Sequence, residues 1–328
     1  MRRLIGLLLL IFAPLATMAQ TDYPIHDDFS RACRITAPLG RGMLGIGNAF
    51  LKAMPKGIRS NSELEINKIK ITSTADGEVF GAWVITPKSV DAPRPAILLL
   101  HGGGFVFKGA PYHYDLAKEY ARRTGSVVVM VDYRTAHNNP YGTSLSDCVD
   151  AWRWMIAEAE ALGIDTARTA IVGDSAGGFL AIKTVVASDF RPAKMMLIYP
   201  VVDCSMRTES MAKFSDTPVW NSELNSKMWE YYLQGAEEKS LLDLDDSDLR
   251  EMPTTYIETA EFDCLRDEGN AFALRLEGAG VATTHIETKG TMHGFDMAQR
   301  SEITQRQIAE RCKWLGEWQL YIAGDRVV

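Results

Sequence analysis

From Ile66 onward the chain switches between two kinds of pattern. Ile66–Thr72 and Val79–Thr86 read as strands, and Asp76-Gly77 between them is a hairpin signal, so a sheet is expected to begin antiparallel. Strand-like runs, most of them apolar, follow at Ala96–Leu100, Val127–Val131, Ala170–Val172, Met195–Tyr199, Tyr256–Thr259 and His285–Thr288. Helix-compatible stretches separate most of them, at Tyr112–Arg123, Leu145–Leu162, Gly177–Ser188 and Arg266–Gly278, and Glu302–Ala323 closes the chain. Strands that are apolar throughout, joined by amphipathic helices, belong to a mostly parallel sheet covered on both faces. The pattern predicts an α/β fold with its reacting groups at the carboxyl ends of the strands.

Three stretches fall outside that pattern. Residues 20–64 read as irregular and helical pieces broken at Pro24, Pro38 and Pro55. Within them, Gly40-Arg41-Gly42-Met43-Leu44-Gly45 has the glycine spacing of a dinucleotide loop but follows no strand, so a plain glycine-rich loop is expected. Between Val202 and Met252 the alternation stops; Leu224, Met228, Tyr231 and Tyr232 fall there at helical spacing. That insert reads either as a lid over a substrate pocket or as an extra helix packed on the core. The third stretch is the start. Arg2 and Arg3 precede an apolar run from Leu4 to Ala13, and Thr17-Met18-Ala19 is a small-residue exit. This describes a signal peptide over residues 1–19, whose apolar run is too short to span a bilayer, and predicts an exported protein with no stable membrane anchor after cleavage.

Composition changes the picture little. With 46% hydrophobic and 23% charged residues the chain suits a packed domain. A net charge of −7, with no basic run after the N-terminus, gives no reason to expect nucleic acid as a partner. Five scattered cysteines leave at least one thiol unpaired even in an oxidising compartment, and they read first as small buried hydrophobes. No cysteine–histidine cluster suggests zinc, and no metal or organic cofactor is expected.

The chemistry lies at the strand ends. Gly173-Asp174-Ser175-Ala176-Gly177 sits between the run Thr169–Val172 and a helix-compatible run, which is the strand–turn–helix setting of a nucleophilic serine. His101-Gly102-Gly103-Gly104-Phe105 follows Ile97–Leu100 directly. Three glycines in a row weaken a strand or a helix but free backbone N–H groups to face a cavity. With the N–H of Ala176, which follows the serine, they read as an oxyanion hole. For the base, His293 lies in a loop just past His285–Thr288; His285, inside that run, is the competitor. For the orienting acid, Asp263 ends the run after Tyr256, with Glu261 second. The order Ser175, Asp263, His293 is the one such hydrolases use.

Together these motifs, with Gly173–Gly178, Glu261–Gly269, His293-Gly294-Phe295, Val131-Asp132-Tyr133-Arg134 and Tyr199-Pro200, resemble the bacterial hormone-sensitive-lipase family of carboxylesterases from about Pro95 to Phe295. The resemblance implies an α/β-hydrolase fold over residues 20–328, with an eight-stranded, mostly parallel sheet, helices on both faces, and a helical cap from about 20–64 and 203–250. It also implies that Gly103 and Gly104 supply the oxyanion-hole N–H groups, and that the substrate is a short- to medium-chain carboxylic ester. A homodimer is compatible with it. The stretch Thr135-Ala136-His137-Asn138-Asn139-Pro140 departs from the family pattern and bears on the pocket rim rather than the chemistry. Two alternatives stay open: an amidase, peptidase or lactonase on the same triad, and a non-catalytic ligand-binding homologue, against which an intact His293 argues.

Overall fold

The structure, a computed structural model, describes residues 23–37, 39–54 and 57–318. The expected signal peptide lies outside them. Eight strands form one sheet: β1 (Leu64–Thr72), β2 (Val79–Pro87), β3 (Arg94–Leu100), β4 (Val127–Asp132), β5 (Ile164–Asp174), β6 (Lys194–Ile198), β7 (Thr254–Phe262) and β8 (Thr283–Met292). Their order is β1-β2-β4-β3-β5-β6-β7-β8. The hairpin β1–β2 and the β2–β4 pair are antiparallel, and every later pair is parallel. The eight-stranded, mostly parallel sheet expected from the sequence is therefore present.

Period-two alternation splits each central strand between two cores. In β3, Ala96, Leu98 and Leu100 face one side, while Ile97 and Leu99 face the other. The first side is covered by helices Thr143–Ala157, Ala176–Val186 and Arg266–Gly278, which bury Trp152, Phe179 and Phe272 among others. The second is covered by Pro111–Thr124 and Glu302–Gly316, through Tyr120 and Ile308. Removing this much apolar surface from water on both faces is what holds the parallel strands together.

The expected hairpin is present, with Asp76-Gly77 in its connection, where Ser73 N–H bonds the Glu78 carbonyl at 2.8 Å and Gly77 takes φ +76°. Two other local expectations are corrected. The strand read as Ala170–Val172 starts at Ile164; the intervening Asp165–Arg168 are partly or fully exposed and carry no apolar run to announce it. The expected glycine-rich loop is a helix, Arg41–Ala53, with Gly40 as its N-cap. Glycines inside a helix cost roughly 0.5–1 kcal/mol each. Tertiary contacts offset that: Leu44 is buried in the core, and the Asn48 side chain bonds the Val106 carbonyl at 2.8 Å and the Lys108 N–H at 2.9 Å.

The insert carries helices Glu209–Lys213, Ser222–Leu233 and Asp246–Arg250. Ser222–Leu233 packs on the core, with Tyr232 stacked 4.0 Å from Phe105 and Trp229 5.4 Å from Phe179. The N-terminal segment is tied to the insert: Thr36 bridges Val219, Ile35 accepts the Val219 N–H at 2.9 Å, and Tyr231 donates to the Leu39 carbonyl at 3.0 Å. All five cysteines are free thiols, three of them buried and two half-buried.

Candidate active site

Ser175 stands between the end of β5 and the start of helix Ala176–Val186, at φ 54° and ψ −122°. Such a backbone costs a non-glycine residue about 1–3 kcal/mol and persists only where its surroundings impose it. Here the flanking glycines do so. A Cβ on Gly173 would collide with the Gly177 carbonyl, and one on Gly177 with the Leu100 carbonyl of the neighbouring strand. The turn is too tight for any other residue at either position.

Asp263 directly follows β7 and His293 directly follows β8. The two strands are parallel neighbours, so their carboxyl-end loops meet beside the serine. His293 Nε2 lies 2.9 Å from Ser175 Oγ, and His293 Nδ1 lies 2.7 Å from Asp263 Oδ2. The second Asp263 oxygen accepts the Leu265 N–H at 3.0 Å. With a proton on Nδ1, held by the carboxylate, Nε2 is left to accept from the hydroxyl. Both competitors lie elsewhere. Glu261 accepts the Gly290 N–H at 2.7 Å, and His285 faces Thr259 from within β8.

Gly103 and Gly104 follow β3 with φ +119° and +57°, and the Gly103 carbonyl closes a turn by accepting the Val106 and Phe107 N–H groups. No hydrogen bond among the described residues engages the Gly103 or Gly104 N–H. Ala176 is the first residue of its helix, where an N–H has no intrahelical acceptor. These three N–H groups are free to bind an oxyanion.

A tether invisible in the sequence joins this glycine loop to the elbow. Asp174 Oδ1 accepts the Gly102 N–H at 2.9 Å, and its Oδ2 lies 3.1 Å from His113 Nε2. His113 Nδ1 accepts the Ala110 N–H at 2.9 Å, which leaves the Nε2 proton to point at Asp174. Burial raises the Asp174 carboxyl, but the neighbouring His113 and the Gly102 N–H more than reverse this and leave it low. His101 is pushed down to about 3, first by burial and then by His113, so it stays uncharged. Its ring stacks 4.3 Å from Tyr133, whose hydroxyl donates to the His101 carbonyl at 2.8 Å. His101 is a strut of the loop, not a second base.

Behind His293 lies a buried ionic cluster. The Tyr199 ring meets the His293 ring edge-on at 4.8 Å, and its hydroxyl donates to Asp296 Oδ2 at 2.8 Å. Arg311, fully buried, pairs with Asp296 at 2.9 Å and with Glu258 at 2.8 and 3.0 Å. Burial pushes the Asp296 carboxyl up more than Arg311 pulls it down. Arg311 and Glu258 stand 53 positions apart, so no local spacing announces the pair.

Known proteins resemble this chain in sequence and fold. Residues 97–297 match the family described as α/β hydrolase fold. The ethyl acetate hydrolase of Pseudomonas putida is 34% identical over 245 residues, covering 70% of this chain and 75% of that protein. Carboxylesterase NlhH of Mycobacterium tuberculosis is 31% identical over 222 residues, covering 65% and 70%. A bacterial heroin esterase superposes with a TM-score of 0.81 at 30% identity, covering 90% of this chain and 98% of that structure. The family match spans well over half the chain and includes every residue of the serine–histidine–aspartate relay, so the chain belongs to the α/β-hydrolase family, in its hormone-sensitive-lipase-like branch.

Proposed function

We propose that this protein is a serine carboxylesterase hydrolysing short- to medium-chain carboxylic esters through an acyl-enzyme. His293 Nε2 takes the Ser175 proton as Oγ attacks the ester carbonyl. The resulting oxyanion accepts hydrogen bonds from the Gly103, Gly104 and Ala176 N–H groups. His293 then passes the proton to the leaving alcohol, and in the second half it draws a proton from water as that water attacks the acyl carbon. Asp263 keeps the proton on Nδ1 and stabilises the imidazolium. The observation that carries the reading is the unbroken relay of 2.9 and 2.7 Å from Ser175 Oγ through His293 to Asp263. The relatives' names, ethyl acetate hydrolase and carboxylesterase among them, support an ester as the substrate.

Incubation with a fluorophosphonate probe should label Ser175 alone, located by peptide mass spectrometry. A chain that hydrolyses p-nitrophenyl butyrate yet resists the probe would refute the mechanism.

The oxyanion reading has its own test. Gly104→Ala places a methyl 2.8 Å from Trp220 Cη2 at a φ of +57°, so the loop must shift. The expected loss is about 10²–10³ in kcat, as for removal of one oxyanion donor, with a smaller change in KM.

In this reading the N-terminal segment and the insert together form a cap over the site. Its support is the set of hydrogen bonds that join Ile35, Thr36 and Leu39 to the insert. Export is part of the same proposal and rests on the charge and apolar pattern of residues 1–19. Mass spectrometry of the secreted protein should find a mature chain beginning at Gln20; an intact Met1 in the exported material would contradict it.

A further inference from the structure

The segment Thr217–Trp220 touches both halves of the reaction machinery. Val219 Cγ1 would lie 3.5 Å from a Cβ on Gly294, the residue after His293. Trp220 lies against the other half: Cη2 is 2.8 Å, and Met228 Cγ 3.3 Å, from where a Gly104 Cβ would stand. The same indole is tilted 36° over the His293 ring, with centroids 6.0 Å apart. One flat side chain thus spans the gap between the oxyanion loop and the catalytic histidine.

That side chain is held in place. Trp220 Nε1 donates to Asn225 Oδ1 at 3.2 Å, and the Trp220 carbonyl accepts the Thr217 hydroxyl at 2.8 Å. Asn225 is itself fully buried. Val219 takes φ +68°, a region that β-branched residues avoid, and its N–H is bonded to Ile35 at 2.9 Å. A strained residue fixed on one side and a buried amide on the other leave the indole little freedom to swing away.

An ester in reaction must place its carbonyl oxygen at Gly103 and Gly104 and its alkoxy oxygen at His293. Any bulk carried between those two directions meets the indole. We infer that Trp220 is the specificity-determining residue of this esterase, limiting the size of ester group accepted beside the reacting carbon. The inference rests on Ser175 being the nucleophile and adds which side chain sets the substrate limit.

The test uses Trp220→Ala and the more conservative Trp220→Phe in the full chain, with kcat/KM taken per fluorophosphonate-titrated serine so that misfolded protein is not counted. Two substrate series are read: p-nitrophenyl acetate, butyrate and octanoate, and the acetates of methanol, butanol and octanol. In Trp220→Ala the large-to-small ratio should rise about tenfold or more in at least one series, with Trp220→Phe between it and the parent. The responding series says whether the acyl or the alcohol group lies under the indole. Ratios unchanged in both series, with active serine intact, overturn the inference. A parent protein that cleaves no ester in either series would instead overturn the functional reading on which it rests.

Discussion

Replacing Ser175 by alanine is expected to lower kcat toward esters by roughly 10⁴–10⁶, and replacing His293 by alanine by a similar factor. The two losses should not multiply. Ser175 Oγ and His293 Nε2 form one hydrogen bond, and neither group does its work without the other. The double variant should therefore retain about the activity of either single one. Substrate binding should change far less, because the hydroxyl and the ring contribute mainly in the transition state. Folding should also survive, since Ser175→Ala keeps the backbone that Gly173 and Gly177 impose. Steady-state kinetics with p-nitrophenyl butyrate, alongside thermal unfolding of each variant, would decide the matter. A Ser175→Ala chain with parental turnover would rule out the acyl-enzyme, and a multiplicative double variant would mean that the two residues act in separate steps.

The largest stability effect is expected away from the reacting atoms. Arg311→Met should destabilise the fold by about 3–5 kcal/mol, because Glu258 and Asp296 would be left as buried, uncompensated carboxylates. Removing the exposed end of the Arg122–Glu119 pair should cost only about 0.2–1 kcal/mol. The deficit should also grow with pH. A carboxyl whose folded pKa lies above its unfolded value supports stability at low pH and loses that support as pH rises through the folded pKa. Asp296 is already pushed up by burial, and loss of the guanidinium raises it further. The gap between parent and variant in denaturant midpoint should thus be wider at pH 8 than at pH 5. A midpoint unchanged by the substitution would mean that the cluster is wetter than its burial indicates.

The relay was legible in the sequence because each member sits at a strand end with a local signature. Ser175 is flanked by glycines that nothing else explains, and Asp263 and His293 each follow an apolar run in the expected order. What sequence reasoning missed is carried by long-range pairs. His113 has no strand-end position to mark it, yet it meets Asp174 across 61 positions. Arg311 looks like one more polar residue on a surface helix until Glu258 and Asp296 are seen opposite it. The glycines of the helix Arg41–Ala53 make it look like a loop in sequence, since the contacts that order it, at Val106 and Lys108, come from another part of the chain. Trp220 offered only an aromatic in an insert, with nothing to say which way it faced.

The bond between Ile35 and Val219 bears on how this enzyme can be trimmed or redesigned. Every residue of the proposed relay and of the glycine loop lies within the span 97–297 that matches the family. The backbone holding the indole above them is anchored some sixty positions earlier, at Ile35 and Thr36. Trp220 lies inside that span, but part of what steadies it does not. A different N-terminal segment grafted onto this chain should therefore loosen the hold on the indole and shift the ester limit, with Ser175, His293 and Asp263 left in place.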